Sequence, residues 1–167
     1  MDLVNVMQVY FHGEKAESVL IVAVSVVLLV AAGALFILLK HPFARGLAVV
    51  LLLTAVVGGS VGGAILFRTD KQVTNLVSLY RADPQKYRET EGARMATVVK
   101  SFIYYRVMYG LACIVALIFV FVSGRPALHG IAVGLLLFAA VGLTIDYFAL
   151  DRAVHYSAEI KADAKGR

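Results

Sequence analysis

Residues 18–39 read SVLIVAVSVVLLVAAGALFILL and contain no charge. At ~1.5 Å of rise per residue such a run crosses the ~30 Å hydrocarbon core of a bilayer. Leu20–Leu39 has no polar face, which every helix of a soluble bundle would carry. Working outward, GLAVVLLLTAVVGGSVGGAILF at 46–67 and Val107–Ser123 are also free of charge. Ala127–Ile145 has only His129 as a titratable group. The hydrophobic fraction of 60% and mean hydropathy of +0.83 exceed the ~45–50% apolar content of soluble domains. These runs predict an all-α polytopic membrane protein, a four-transmembrane-helix bundle. The spans are expected at about 18–39, 44–67, 102–123 and 127–150, with a cytosolic loop over 68–101. One membrane domain, 1–167, then uses the whole length and leaves no room for a separate soluble domain. The first span is not expected to be a cleaved signal peptide: its flank holds Asp2, Glu14, Lys15 and Glu17, and no A-x-A site follows it.

The basic residues set the orientation. Lys15, Arg68, Lys71, Arg81, Lys86, Arg88, Arg94, Lys100, Arg106, Arg152, Lys161, Lys165 and Arg167 lie on one side of the spans. Only Lys40, Arg45 and Arg125 occupy the two hairpin turns. Short basic loops stay in the cytosol, so both termini are expected there, in a bacterial inner membrane. The net charge of +5 follows from this bias and from attraction to anionic headgroups. It does not indicate nucleic-acid binding. All eight tyrosines fall on the same half; Tyr104, Tyr105 and Tyr147 suit an interfacial aromatic belt.

HPFARGLAVVLLLTAVVG from His41 lies over RPALHGIAVGLLLFAAVG from Arg125 at an offset of 84, with Pro42 on Pro126, Gly46 on Gly130 and Gly58 on Gly142. This is the pattern of a duplicated helical hairpin whose symmetry axis runs along the membrane normal. Spans one and three add no convincing match of their own. The short turns make spans one and two, and spans three and four, antiparallel neighbours. Gly58, Gly59, Gly62 and Gly63 in span two, with Gly130 and Gly134 in span four, form small-xxx-small pairs suited to close helix packing. They suit intrachain contacts or a homo-oligomer face. In the central loop Val73, Leu76, Val77 and Tyr80 form a helical stripe, expected to lie along the cytosolic membrane surface as an amphipathic helix. Asp83-Pro84 is expected to cap and start a new helix that runs through Met95 into span three.

The chemistry-bearing residues gather at the cytosolic rim. Counted from their turn, Arg106 and Asp146 lie at equal depth, which predicts an ion pair, since an unpaired charge in a span is costly. The same count places Glu17 beside Arg68. The functional form of this cluster is a polar pocket lined by Glu14, Glu17, Arg94, Tyr105, Arg106, Asp146 and His155. No metal, haem or other cofactor is expected. No Glu-x-x-His pair occurs, and none of His12, His41, His129 and His155 lies deep in a span. Cys113 is alone. Walker A, G-x-S-x-G, H-E-x-x-H and dinucleotide motifs are absent from the sequence, so no catalytic residue is assigned.

FHGEKAES before span one and ARMATVVKSFIYYR at span three resemble the corresponding segments of an uncharacterised family of small bacterial four-span integral membrane proteins. The matching residues are Gly13, Glu14, Lys15, Glu17, Arg94, Met95, Phe102, Tyr105 and Arg106. The resemblance implies a four-helix integral membrane fold and no established activity. The plan is also similar to that of immunity proteins that guard a bacterial inner membrane. The expected function is non-enzymatic binding of a protein or lipid partner, with protection of the membrane against a toxin as one version. The alternatives are a small transporter or channel using Arg106 and Asp146, or a lipid-modifying enzyme.

Overall fold

The computed structural model describes residues 3–165 and consists of four long helices: α1 (Leu3–Leu38), α2 (Pro42–Ala82), α3 (Pro84–Val122) and α4 (Pro126–Lys165). Each has a segment long and apolar enough to cross a membrane. Their starts follow local chemistry. Pro42, Pro84 and Pro126 occupy first turns, where a missing N–H has no partner to lose. His41 Nδ1 accepts from the Phe43 amide at 3.2 Å and caps α2. Asp83 alone separates α2 from α3. Its N–H closes α2 on the Leu79 carbonyl at 2.8 Å, and its carboxylate accepts from the Lys86 amide at 2.9 Å to open α3.

The stretch 68–101 is therefore not a loop, and the Val73–Tyr80 stripe does not belong to a helix lying on the membrane surface. It is the end of α2, running on without a break from the span. All four helices overrun the apolar segments by about fifteen residues or more, or ~22 Å. The overruns form a bundle with its own apolar interior. Leu76 and Tyr80 are buried there with Leu3, Val6, Met7, Tyr10 and Phe11 of α1, Tyr87 and Met95 of α3, and Tyr156 and Ile160 of α4. The stripe turns inward because three other helices offer it apolar partners. Tyr10 stacks on Tyr156 at 4.7 Å between ring centroids, and the Tyr156 and Tyr87 hydroxyls share a 2.7 Å hydrogen bond.

Within the spans the buried apolar cluster is small, Ala32, Ala48 and Leu51. Leu38, Phe67, Phe121 and Val122 are exposed, as residues facing lipid tails would be. Lipid supplies no hydrophobic drive between helices, so close backbone approach holds the spans instead. The tightest approach joins α2 and α4. A Cβ on Gly46 would overlap the Ala127 carbonyl, 2.9 Å from its carbon, and one on Gly130 would overlap the Phe43 carbonyl and lie 2.8 Å from Leu47 N. Gly134 meets Val50, Gly58 meets Ser25 on α1, and Gly142 meets the Tyr109 ring on α3. Adding 84 to Phe43, Gly46, Val50, Gly58 and Ser25 gives Ala127, Gly130, Gly134, Gly142 and Tyr109. Gly62 also packs on α1, 3.2 Å from the Ser18 carbonyl oxygen. Gly59 makes only an ordinary contact with Ser25, and Gly63 meets nothing within 4 Å. Gly58 and Gly62, four residues apart, share the face turned to α1, and Gly63 is rotated about 100° from it.

Candidate functional site

No Cα of α1 comes within 8 Å of one of α3. A cavity of about 250 Å³ lies between them, where apolar spans meet charged overruns. Its walls come in pairs 84 residues apart: Tyr10 and Arg94, Glu14 and Val98, Glu17 and Ser101, Ser18 and Phe102, Ile21 and Tyr105, Ile65 and Ala149, Arg68 and Arg152. Ile145 and Asp146 complete it; the residues 84 positions before them are Val61 and Gly62.

Of the residues expected to form a polar pocket, Glu14, Glu17, Arg94, Tyr105 and Asp146 line this cavity. Arg106 and His155 do not. Arg106 is exposed, and His155 lines a smaller hollow with Val6, Val9, Tyr10, Arg152 and Tyr156. Both expected ion pairs are corrected. Among the described residues no ion pair joins Arg106 to Asp146: Arg106 is exposed, and it is the Tyr109 ring that packs on α4, against Gly142. Tyr109, three residues on from Arg106, takes the inward face of α3. Glu17 does not meet Arg68. It pairs with Arg152 of α4, while Arg68 reaches Glu14, one turn earlier on α1, at 3.5 Å. Arg94 forks onto Glu91 at 2.6 and 2.7 Å and lies 5.5 Å above the Phe11 ring. Arg152 reaches its partner by crossing Gly13, where a Cβ would stand 2.8 Å from its Cδ.

Sequence reasoning left Tyr10, Arg68 and Arg152 out of the pocket, and left out Glu91, the partner of Arg94. The two arginines could have been found from the offset of 84, which places one on the other. Glu91 gave no signal, since RETEGAR at 88–94 reads as a solvated face.

Burial raises the Glu14 carboxyl above its ordinary value against the pull of Arg68, and raises Glu17 against the pull of Arg152. Burial, with Glu14 nearby, pushes the Tyr10 hydroxyl up to about 12. The carboxyl shifts have a consequence for stability. The folded chain holds these protons more tightly than the unfolded one, so their contribution is full below the ordinary value of 4.5 and is lost as pH rises through the raised values. Thermal unfolding in detergent, followed by circular dichroism, should show this loss from pH 4.5 upward. Glu14→Gln combined with Glu17→Gln should flatten the profile. An equally steep profile in the double variant would assign the pH dependence to other groups.

Among the described residues no group of three His, Cys, Asp or Glu is placed to hold a metal ion. No protein-family model, curated protein or solved structure matches the chain.

Proposed function

We propose that this chain is a non-enzymatic membrane protein that binds a lipid in the cavity between α1 and α3. It sits in a bacterial inner membrane with both termini in the cytosol. The observation that carries the reading is the cavity's two-sided chemistry at the membrane rim. Ile21, Ile65, Phe102 and Ile145 line it from the spans, while Glu14, Glu17, Arg68 and Arg152 line it from the overruns. A ligand held there meets an apolar wall and a charged one, as the boundary of an acyl chain and its headgroup requires. The orientation rests on the basic residues, which concentrate on the overruns. The 84-residue spacing of the wall pairs and helix contacts supports a duplicated hairpin, with its twofold axis between α2 and α4.

The test is native mass spectrometry of the detergent-purified protein after addition of phosphatidylglycerol, phosphatidylethanolamine and phosphatidylcholine. One lipid per chain should remain bound at collision energies that strip the surface lipids. Ala149→Phe, which fills the cavity from α4, should lose it while keeping the helical circular dichroism. No retained lipid, or one retained equally by a folded Ala149→Phe, rejects the proposal.

A small transporter is the second reading, favoured by one observation: Asp146 carries the cavity's charge into the fourth span. Solute counterflow in proteoliposomes, abolished by Asp146→Asn, would select it over static binding.

A further inference from the structure

Four buried side-chain polar atoms among the described residues have no hydrogen-bond partner in the chain: Glu14 Oε2, Asp146 Oδ2, Arg152 Nε and His129 Nε2. Three of these four side chains, Glu14, Asp146 and Arg152, line the cavity between α1 and α3. Buried polar atoms are nearly always satisfied, and each exception calls for a cause. Here two acceptors and one donor are left over on the walls of one cavity.

The charges narrow the ligand. Arg68, Arg94 and Arg152 each already hold a carboxylate, Glu14, Glu91 and Glu17 respectively. Asp146 lines the same cavity and has no cation at ion-pair distance among the described residues. The unfilled requirement is thus for positive charge bearing N–H donors. An anion alone would meet arginines whose charge is already taken. A divalent metal would lack a ligand set. A quaternary ammonium has charge but no N–H to give the two acceptor oxygens. A primary ammonium has three donors, and an oxygen elsewhere on the same ligand answers Arg152 Nε. The two acids are also not imposed by the 84-residue correspondence, because Val98 and Gly62 stand at the matching positions.

We infer that the cavity recognises a primary ammonium group, with Asp146 and Glu14 accepting its hydrogen bonds and Arg152 donating to an oxygen of the same molecule. This rests on the lipid-binding proposal if the ammonium belongs to an aminophospholipid. The same chemistry is carried by a soluble amine phosphate, and the experiment separates the two sources.

Full-length protein in detergent is titrated with phosphatidylethanolamine and phosphatidylcholine of identical acyl chains, with phosphatidylglycerol, and with soluble phosphoethanolamine and phosphocholine. Binding is read as the shift of the thermal midpoint and as bound ligand by native mass spectrometry. The ethanolamine member of one pair should bind at least about tenfold more tightly than its choline partner. The lipid pair showing this identifies a membrane ligand, and the soluble pair a cytosolic one. Asp146→Asn and Glu14→Gln, which keep side-chain shape, should each erase the preference. Equal binding of ethanolamine and choline forms overturns the inference, as does a preference for phosphatidylglycerol or a preference unchanged in folded Asp146→Asn. In those cases retained lipid still supports the broader proposal, whereas no retained ligand of any kind removes both. If either variant fails to fold, the wild-type comparison of ethanolamine with choline decides alone.

Discussion

Gly46→Ala and Gly130→Ala should each prevent stable assembly of the spans, a larger effect than any other single methyl group in this chain. The added Cβ would fall on a backbone carbonyl, Ala127 in one case and Phe43 in the other. Backbone cannot step aside as a side chain tip can, so α2 and α4 must separate along the whole crossing. That separation also loosens Val50 against Gly134 on the same line of contact. Overpacking of a core typically costs ~1–3 kcal/mol, and a clash that parts two helices should exceed ~3 kcal/mol. In lipid no hydrophobic gain compensates for lost backbone contact. Gly63→Ala is the control, since its Cβ would enter open space. Thermal unfolding in mild detergent and elution volume should separate the pair from the control. Midpoints within a few degrees of wild type for Gly46→Ala would show that the α2–α4 crossing yields easily.

The fold was readable where one dimension suffices. Depth in the bilayer is set by counting residues, and the spans, the Pro-led helix starts and the Asp83-Pro84 break all depend on depth or on neighbours in sequence. The site was readable only in part because it also depends on rotation about each helix axis. Arg106 and Asp146 count to one level from their turn, yet Arg106 turns outward and Tyr109 turns in. Glu17 and Arg68 also count to one level, yet Glu17 meets Arg152 of α4. A stripe such as Val73–Tyr80 says that a helix has an apolar face but not what covers it. The choice between a membrane surface and a bundle interior rested on residues 3–17 and 151–165, whose mixed composition hides long helices. The offset of 84 carried more than its matching letters: it pairs Ser25 with Tyr109 and Glu17 with Ser101, positions of α1 and α3 that share no likeness.

Replacing Glu91 by Ala should destabilise the overrun bundle by roughly 3–5 kcal/mol, the range for stranding one member of a buried ion pair. Glu91 has 1% of its side chain exposed and Arg94 27%, so the pair is held largely away from water. Arg94 is fixed from several sides: by two hydrogen bonds to Glu91, by the Phe11 ring beneath it and by Met95 Sδ at 3.2 Å. Without Glu91 the guanidinium stays among these groups with no counter-charge, and Glu14 is already engaged by Arg68. Glu91→Gln keeps an acceptor without the charge and should lose less. Glu91→Leu combined with Arg94→Met should recover most of the loss, because no charge is then stranded and two apolar side chains join Phe11 and Met95. Thermal unfolding of the two singles and the double variant closes the cycle. Additive losses would mean that Glu91 and Arg94 act independently despite their contact. A recovery that leaves the double variant near wild type assigns the pair to specificity of packing, so the bundle's stability then rests on the tyrosine-rich interior around Tyr10, Tyr87 and Tyr156.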